Sequence, residues 1–183
     1  MGDPNMLQGL LEDTVLKALE AKEEALDAEI NRLDNMNEDD IEELRRKRLE
    51  QMKSASKERQ SWMEIGHGTY SELFSEKEFF EAAKKSKRMV CQFYRPATWR
   101  CQIVDKHLEA LAKKHVRTRF VKINAEKSPY LCDKLKIWCI PTTMLILDGK
   151  TEHSIVGFDE FGGKDDFSTN LFEERLRDRG LVD

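Results

Sequence analysis

The first third of the sequence has almost no chain breakers. Of four prolines and nine glycines in 183 residues, none falls between Gly9 and residue 61. That excludes frequent turns and suits uninterrupted helix. Long apolar runs are missing too, and no stretch approaches the roughly 20 residues that span a bilayer. Met1-Gly2-Asp3-Pro4 has no basic start and no apolar segment behind it, so no secretory signal is expected. Leu7 stands where a myristoylation motif wants Ser or Thr. Cysteine is sparse: Cys91, Cys101, Cys132 and Cys139, with no C-x-x-C pair among them. This removes the paired spacing of zinc motifs and of dithiol redox sites, and reduced thiols in a cytosolic setting are expected. No Gly-rich phosphate loop appears, and a net charge of -4 argues against nucleic acid.

What is present is charge. Charged residues make up 36% of the chain against 39% hydrophobic ones, the balance of a globule with a solvated helical portion. Residues 1–44 hold 14 acidic and 3 basic side chains, and residues 45–60 hold 2 and 7. Leu11, Val15, Leu19, Leu26, Ile30 and Leu33 recur at helical spacings. Asn35-Met36-Asn37 reads as a break, with Asn37 capping a second helix and Glu38, Asp39 and Asp40 at its positive end. Ile41, Leu44, Leu49 and Met52 form a thinner stripe there, and Glu42–Arg46 and Glu43–Lys47 are favourable i,i+4 pairs. One reading is a solvated helix. The other is an arm that docks on another protein or on its own copy, because such a stripe is only marginally stable until it is covered. Glu38, Asp39, Asp40, Glu42 and Glu43 are then candidate partner contacts. The apolar spacing is too irregular to require a coiled coil, so a monomer or a weak dimer through this helix is expected.

From Trp62 the pattern becomes mixed α/β, which sets the expected division at 1–61 and 62–183. Ser75-Glu76-Lys77-Glu78 is a capping box ahead of a helix bearing Phe79, Phe80, Ala82 and Ala83. Residues 88–94 read as a buried strand, about 101–115 as a helix and 119–124 as the next strand. Ser128-Pro129 opens a short helix through Leu135. A strand leads from Ile140 to Leu147, turns at Asp148-Gly149 and returns through Val156. A last helix covers about 166–179. His67, His107, His115 and His153 show no ligand spacing and read as surface residues, so neither metal nor cofactor is expected. Cys91 reads as inert inside its strand.

The order helix, strand, helix, strand, helix, strand, strand, helix resembles the thioredoxin fold. Phe93-Tyr94 leads to a loop and a helix near Cys101; Ile140-Pro141-Thr142 resembles the Ile-Pro-Thr of that family, which implies a cis Pro141. The loop, Arg95-Pro96-Ala97-Thr98-Trp99-Arg100-Cys101, departs from the family's Trp-Cys-Gly-Pro-Cys. Aligned on the fold, Thr98 takes the place of the attacking cysteine, and Cys101 that of the resolving one. A hydroxyl cannot form the mixed disulfide that dithiol chemistry requires. Gln92 replaces the buried acid. Cys101 reads first as a small buried residue at a helix start; the alternative is a thiol whose pKa is lowered by the electropositive loop that Arg95 and Arg100 make. Trp138, beside Cys139, is expected to be exposed near Trp99, since Ile137 and Ile140 fill the core positions.

The charged arm, the loop ending Arg100-Cys101, Ile140-Pro141-Thr142 and the stretch from Gly157-Phe158 to Asp165-Asp166-Phe167-Ser168-Thr169 together resemble the phosducin-like family. The resemblance implies a cytoplasmic co-chaperone, found also in the nucleus. It would bind the cytosolic chaperonin TRiC/CCT and modulate the folding of tubulin and actin. The alternative is a one-cysteine thiol peroxidase or redox sensor using Cys101. Thr98-x-x-Cys101 resembles part of the peroxiredoxin motif, but only Ala97 separates Pro96 from Thr98, where that motif has three residues.

Overall fold

The computed structural model describes the backbone of residues 4–34 and 38–183 and the side chains of residues 15–28, 30–31 and 39–183. The expected break at Asn35-Met36-Asn37, the Asn37 cap and the side chains of Leu11, Leu33 and Glu38 lie outside the described residues. The chain divides into two compact units, 1–54 and 55–183. Helix α1 is Pro4–Asp34 and α2 is Glu38–Glu64, so the division expected at 61/62 falls inside α2. In the first unit, Val15, Leu19, Leu26 and Ile30 on α1 are all more than half exposed, and Ile41, Leu44, Leu49 and Met52 on α2 are exposed as well. The stripe residues whose side chains are described therefore have no covering element among the described residues. Of the expected i,i+4 pairs, Glu43–Lys47 closes at 2.7 Å, and the Lys47 ammonium holds the Glu43 carboxyl below its ordinary range.

The second unit is a five-stranded mixed sheet with helices on both faces. Its elements are β1 (Tyr70–Leu73), α3 (Glu76–Lys85), β2 (Arg88–Tyr94), α4 (Arg100–Lys114), β3 (Arg119–Asn124), α5 (Pro129–Lys134), β4 (Thr142–Leu147), β5 (Lys150–Val156) and α6 (Thr169–Asp178). The strand order is β1-β3-β2-β4-β5. β3 runs parallel to both β1 and β2, while β4 is antiparallel to β2 and to β5. The period-2 alternation of β2 divides the core. Met89, Cys91 and Phe93 join Phe79, Val121, Leu131 and Met144 on one face. Val90 joins Leu108, Phe120, Phe172 and Leu176 on the other, under α4 and α6. Gln92 points to that second face and is fully buried.

Several local features differ from expectation. β1 has no sequence counterpart above: Tyr-Ser-Glu-Leu is short, polar and at the sheet edge, and only its pairing with β3 makes it a strand. The Ser75 hydroxyl accepts from the Glu78 N–H at 3.2 Å, but the Glu78 carboxylate reaches past Ser75 to the Phe74 N–H at 2.9 Å. Ser128 makes no capping bond; Glu76, arriving from α3, accepts the Leu131 N–H of α5 at 3.2 Å. The last helix begins three residues later than expected, because Ser168 caps it through the Leu171 N–H. The Asp148-Gly149 turn holds both residues at positive φ, 50° and 74°, as a two-residue hairpin requires.

Candidate functional site

The loop between β2 and α4 is wound tight. Thr98 N–H donates to the Arg95 carbonyl, Cys101 N–H to Thr98 and Gln102 N–H to Trp99, each at 3.0 Å. Trp99 occupies the cap position with helical angles and no side-chain capping bond. Cys101, in the first turn of α4, is 2% exposed. Beneath it the Gln92 amide donates to the Cys101 carbonyl at 3.0 Å. The Tyr70 hydroxyl lies between Gln92 Oε1 and Asp105 Oδ1, with one proton for two acceptors. Lys122 pairs with Asp105 at 3.5 Å and lies over the rings of Tyr70 and Tyr94. Where dithiol chemistry wants a buried acid there is thus a neutral amide that ties the helix start to the sheet.

Of the two readings of Cys101, the structure supports the small buried residue over a thiol activated by Arg95 and Arg100. Burial pushes the Cys101 thiol up, only partly offset by hydrogen bonding to the Arg95 backbone, while the Asp105 carboxylate raises it further. The two guanidiniums are committed elsewhere. Arg95 pairs with Glu126 at 3.1 Å. Arg100 pairs with Asp165 at 2.8 Å and lies over the Phe158 ring. A thiol that is buried and raised is a poor nucleophile, which weakens the peroxidase reading. Cys91 is fully buried in β2 and its thiol is likewise raised by burial. All four cysteines are free.

The register Phe93↔Thr142 sets Pro141 beside the end of β2, where this loop begins, and the Ile140–Pro141 peptide is cis. The Thr142 hydroxyl donates to the Cys139 carbonyl at 2.7 Å, pinning the turn that carries Trp138. Trp138 is 81% exposed and Trp99 58%, but no ring contact joins them. Trp138, Ile140 and Arg95 share a groove of about 320 Å³ with Glu126, Pro129 and Cys132. Asp39, Asp40, Glu42 and Glu43 lie on α2 in the first unit, exposed to solvent.

The histidines are not the surface residues expected. His67 is buried, with Nδ1 2.9 Å from the Val116 carbonyl and Nε2 3.1 Å from the Ser86 hydroxyl. His107 is half-buried against Phe167 and bonds Thr169, His115 sits beside Glu173, and His153 contacts Glu160 at 2.6 Å. Each has found a local partner that lies far away in sequence or beyond a turn. Among the described residues no group of three His, Cys, Asp or Glu side chains could hold a metal ion, and no helix is long and apolar enough to cross a membrane.

The Thioredoxin family profile matches residues 71–167, the sheet and its site loop without the arm. Likeness over most of this chain goes further. The thioredoxin domain-containing protein 9 homolog of Arabidopsis thaliana is 51% identical over 172 residues, covering 94% of this chain and 81% of that protein. Phosducin-like protein 3 of Drosophila melanogaster is 48% identical over 177 residues, 97% of this chain and 82% of that protein. Human thioredoxin domain-containing protein 9 is 46% identical over 172 residues, 94% and 76%. The chain belongs to the thioredoxin domain-containing protein 9 and phosducin-like family. Among solved structures, thioredoxin f from spinach chloroplast superposes with a TM-score of 0.55 at 17% identity, covering 66% of this chain and 93% of that one. A mutant thioredoxin from Halobacterium salinarum gives 0.53 at 16%, covering 61% and 91%. Those identities speak to the fold alone. Within the phosducin-like family the match includes the arm, which the thioredoxin fold does not need.

Sequence reasoning missed the Tyr70–Gln92–Asp105 cluster and the partners of both loop arginines. Tyr70 and Gln92 are 22 residues apart, and Arg100 and Asp165 are 65 apart, so no local spacing signals either.

Proposed function

We propose that this protein is a non-catalytic co-chaperone that binds the cytosolic chaperonin TRiC/CCT in the cytoplasm and modulates the folding of clients such as tubulin and actin. The observation that carries the non-catalytic half is the setting of Cys101: buried, raised in pKa, anchored by an amide, and without a second thiol in its loop. In this reading Thr98 stands where thioredoxins carry the attacking cysteine. The rim of the loop is exposed, and Trp99 and Trp138 supply rigid aromatic area of the kind that anchors protein contacts. The arm supplies the other half. Its apolar side chains lie uncovered beside the acidic run Asp39, Asp40, Glu42 and Glu43, so a partner with a basic rim and an apolar groove would bury them.

The test is a binding assay with purified chaperonin. The full chain should be captured, and residues 55–183 alone, cut at the boundary between the compact units, should bind far more weakly. Reversing charge at Asp39, Glu42 and Glu43 should slow association more than it speeds dissociation, and raised salt should do the same. Equal capture of the full chain and of residues 55–183 would show the arm to be a solvated appendage.

A further inference from the structure

Residues 1–54 hold 8 basic and 15 acidic side chains, whereas residues 55–183 hold 23 and 20. The second unit is net positive within a net negative chain. Part of that surplus gathers at one cleft of about 430 Å³, formed by the last turns of α2, the end of α4 with the segment leading into β3, and the start of β2. Arg59, Arg88, Lys113, Lys114 and Arg117 line it, against Glu58 and Asp183. The two lysines are occupied, by Glu109 at 3.0 Å and Glu173 at 2.6 Å. The arginines are arranged differently. Arg88 Nη1 meets one oxygen of the Asp183 carboxylate at 2.8 Å, and Arg117 Nη1 meets the other at 3.0 Å. The Arg117 guanidinium lies 5.6 Å from the centroid of the Trp62 ring, which holds its plane in place. Arg59 has no ion-pair partner among the described residues. Two fixed forks thus share a single carboxylate, with a third guanidinium unspent, in a cleft far larger than one carboxylate.

We propose that this cleft docks an acidic peptide segment of a partner protein, whose carboxylates displace Asp183 from Arg88 and Arg117 and engage Arg59. The bound Asp183 side chain shows which chemistry the cleft accepts: a planar carboxylate held oxygen by oxygen, with an aromatic wall behind. Exchange costs little at Arg117, where both partners are more than half exposed, and more at Arg88, which is 27% exposed and which an incoming carboxylate must pair again. Asp183 is then a built-in competitor that raises the threshold for outside ligands. The residues that line this cleft all belong to the second unit, 55–183, and include neither Trp99 nor the acidic run of α2, so the outcome of the chaperonin assay does not decide it.

The experiment is fluorescence anisotropy of a labelled eight-residue glutamate peptide titrated with the full chain, with the matching glutamine peptide as control. The glutamate peptide should bind and the glutamine peptide should not, with affinity falling between 50 and 200 mM salt. Asp183→Asn should tighten binding about two- to fivefold, the worth of an exposed ion pair. Arg59→Glu should weaken it at least about tenfold; Arg59 is exposed and has no ion-pair partner among the described residues, so this variant should keep its fold, with an unchanged circular dichroism spectrum as the check. Lys84→Glu, on α3 and away from the cleft, should change nothing. No preference for glutamate, indifference to Arg59→Glu, or loosening by Asp183→Asn would each overturn the proposal. So would anionic phospholipid vesicles retaining the chain through Arg59 while the peptide fails to bind.

Discussion

Replacing Gln92 by glutamate tests whether the amide beneath Cys101 is structural. The side chain is fully buried, donates to the Cys101 carbonyl at 3.0 Å and accepts from Tyr70. Gln92→Glu keeps the shape and changes the chemistry. Ionised, the new carboxyl has no proton for the Cys101 carbonyl, and it stands close to Asp105 through the shared Tyr70 hydroxyl. Protonated, its O–H restores the lost donor. Burial and the neighbouring carboxylate therefore raise its pKa in the folded state. A rise of about two units above the unfolded value near 4.3 corresponds to about 2.7 kcal/mol once the group is ionised in both states. The sign follows from proton linkage: the folded state holds the proton more tightly, so the variant matches wild type below about pH 4.3 and loses stability as pH rises through the folded pKa. The expected deficit is about 1 kcal/mol at pH 5 and about 2.7 kcal/mol at pH 8. Urea unfolding of wild type and variant, followed by tryptophan fluorescence at both pH values, measures it. An equal deficit at the two pH values, or none at pH 8, would refute the reasoning, because either would mean that the site tolerates a charge.

Other outcomes follow from the same geometry. The protein should give no insulin precipitation above the dithiothreitol background, and Thr98→Cys should not restore it, since Cys101 stays buried over an amide; turnover near that of a thioredoxin in either form would contradict the site reading. Leu108→Ala, at a fully buried position under α4, should cost about 2–5 kcal/mol in urea unfolding, whereas Lys113→Ala on the outer side of the same helix should cost under about 0.5. Glu173 is buried beside Lys114, His115 and Arg177, and the Lys114 hydrogen bond holds its carboxyl below the usual range. Its contribution is present above the unfolded pKa near 4.3 and is lost as pH falls through the folded value, so Glu173→Gln should flatten the acid limb of the stability profile. A variant with the same acid limb as wild type would assign that limb to other groups.

What the sequence made legible was whatever is encoded locally. Strands β2 and β3 fall at 88–94 and 119–124 as read, because runs such as Met-Val-Cys-Gln-Phe are apolar enough to bury on both faces. The Asp148-Gly149 hairpin and the proline opening α5 are written in residues that allow few other conformations. β1 escaped notice because its four residues carry no period of their own and become a strand only on meeting β3.

The site divides along the same line: the make-up of its loop is local, and the field within it is not. Loss of a second thiol is visible in seven consecutive letters. The field at Cys101 is not, because it depends on where Arg95 and Arg100 spend their charge. Glu126, which follows β3, and Asp165, which precedes α6, come from elements brought to the loop by the sheet order and the packing of α6 on α4. Counting two arginines beside a cysteine predicts an activated thiol. Counting them with their partners leaves little charge to oppose desolvation, and burial decides. The histidines obey the same rule: without ligand spacing they read as surface residues, yet His67 closes a buried link between Val116 and Ser86 that no window of the sequence contains. A titratable side chain in this protein takes its character from its neighbours in space, and those neighbours are supplied by topology.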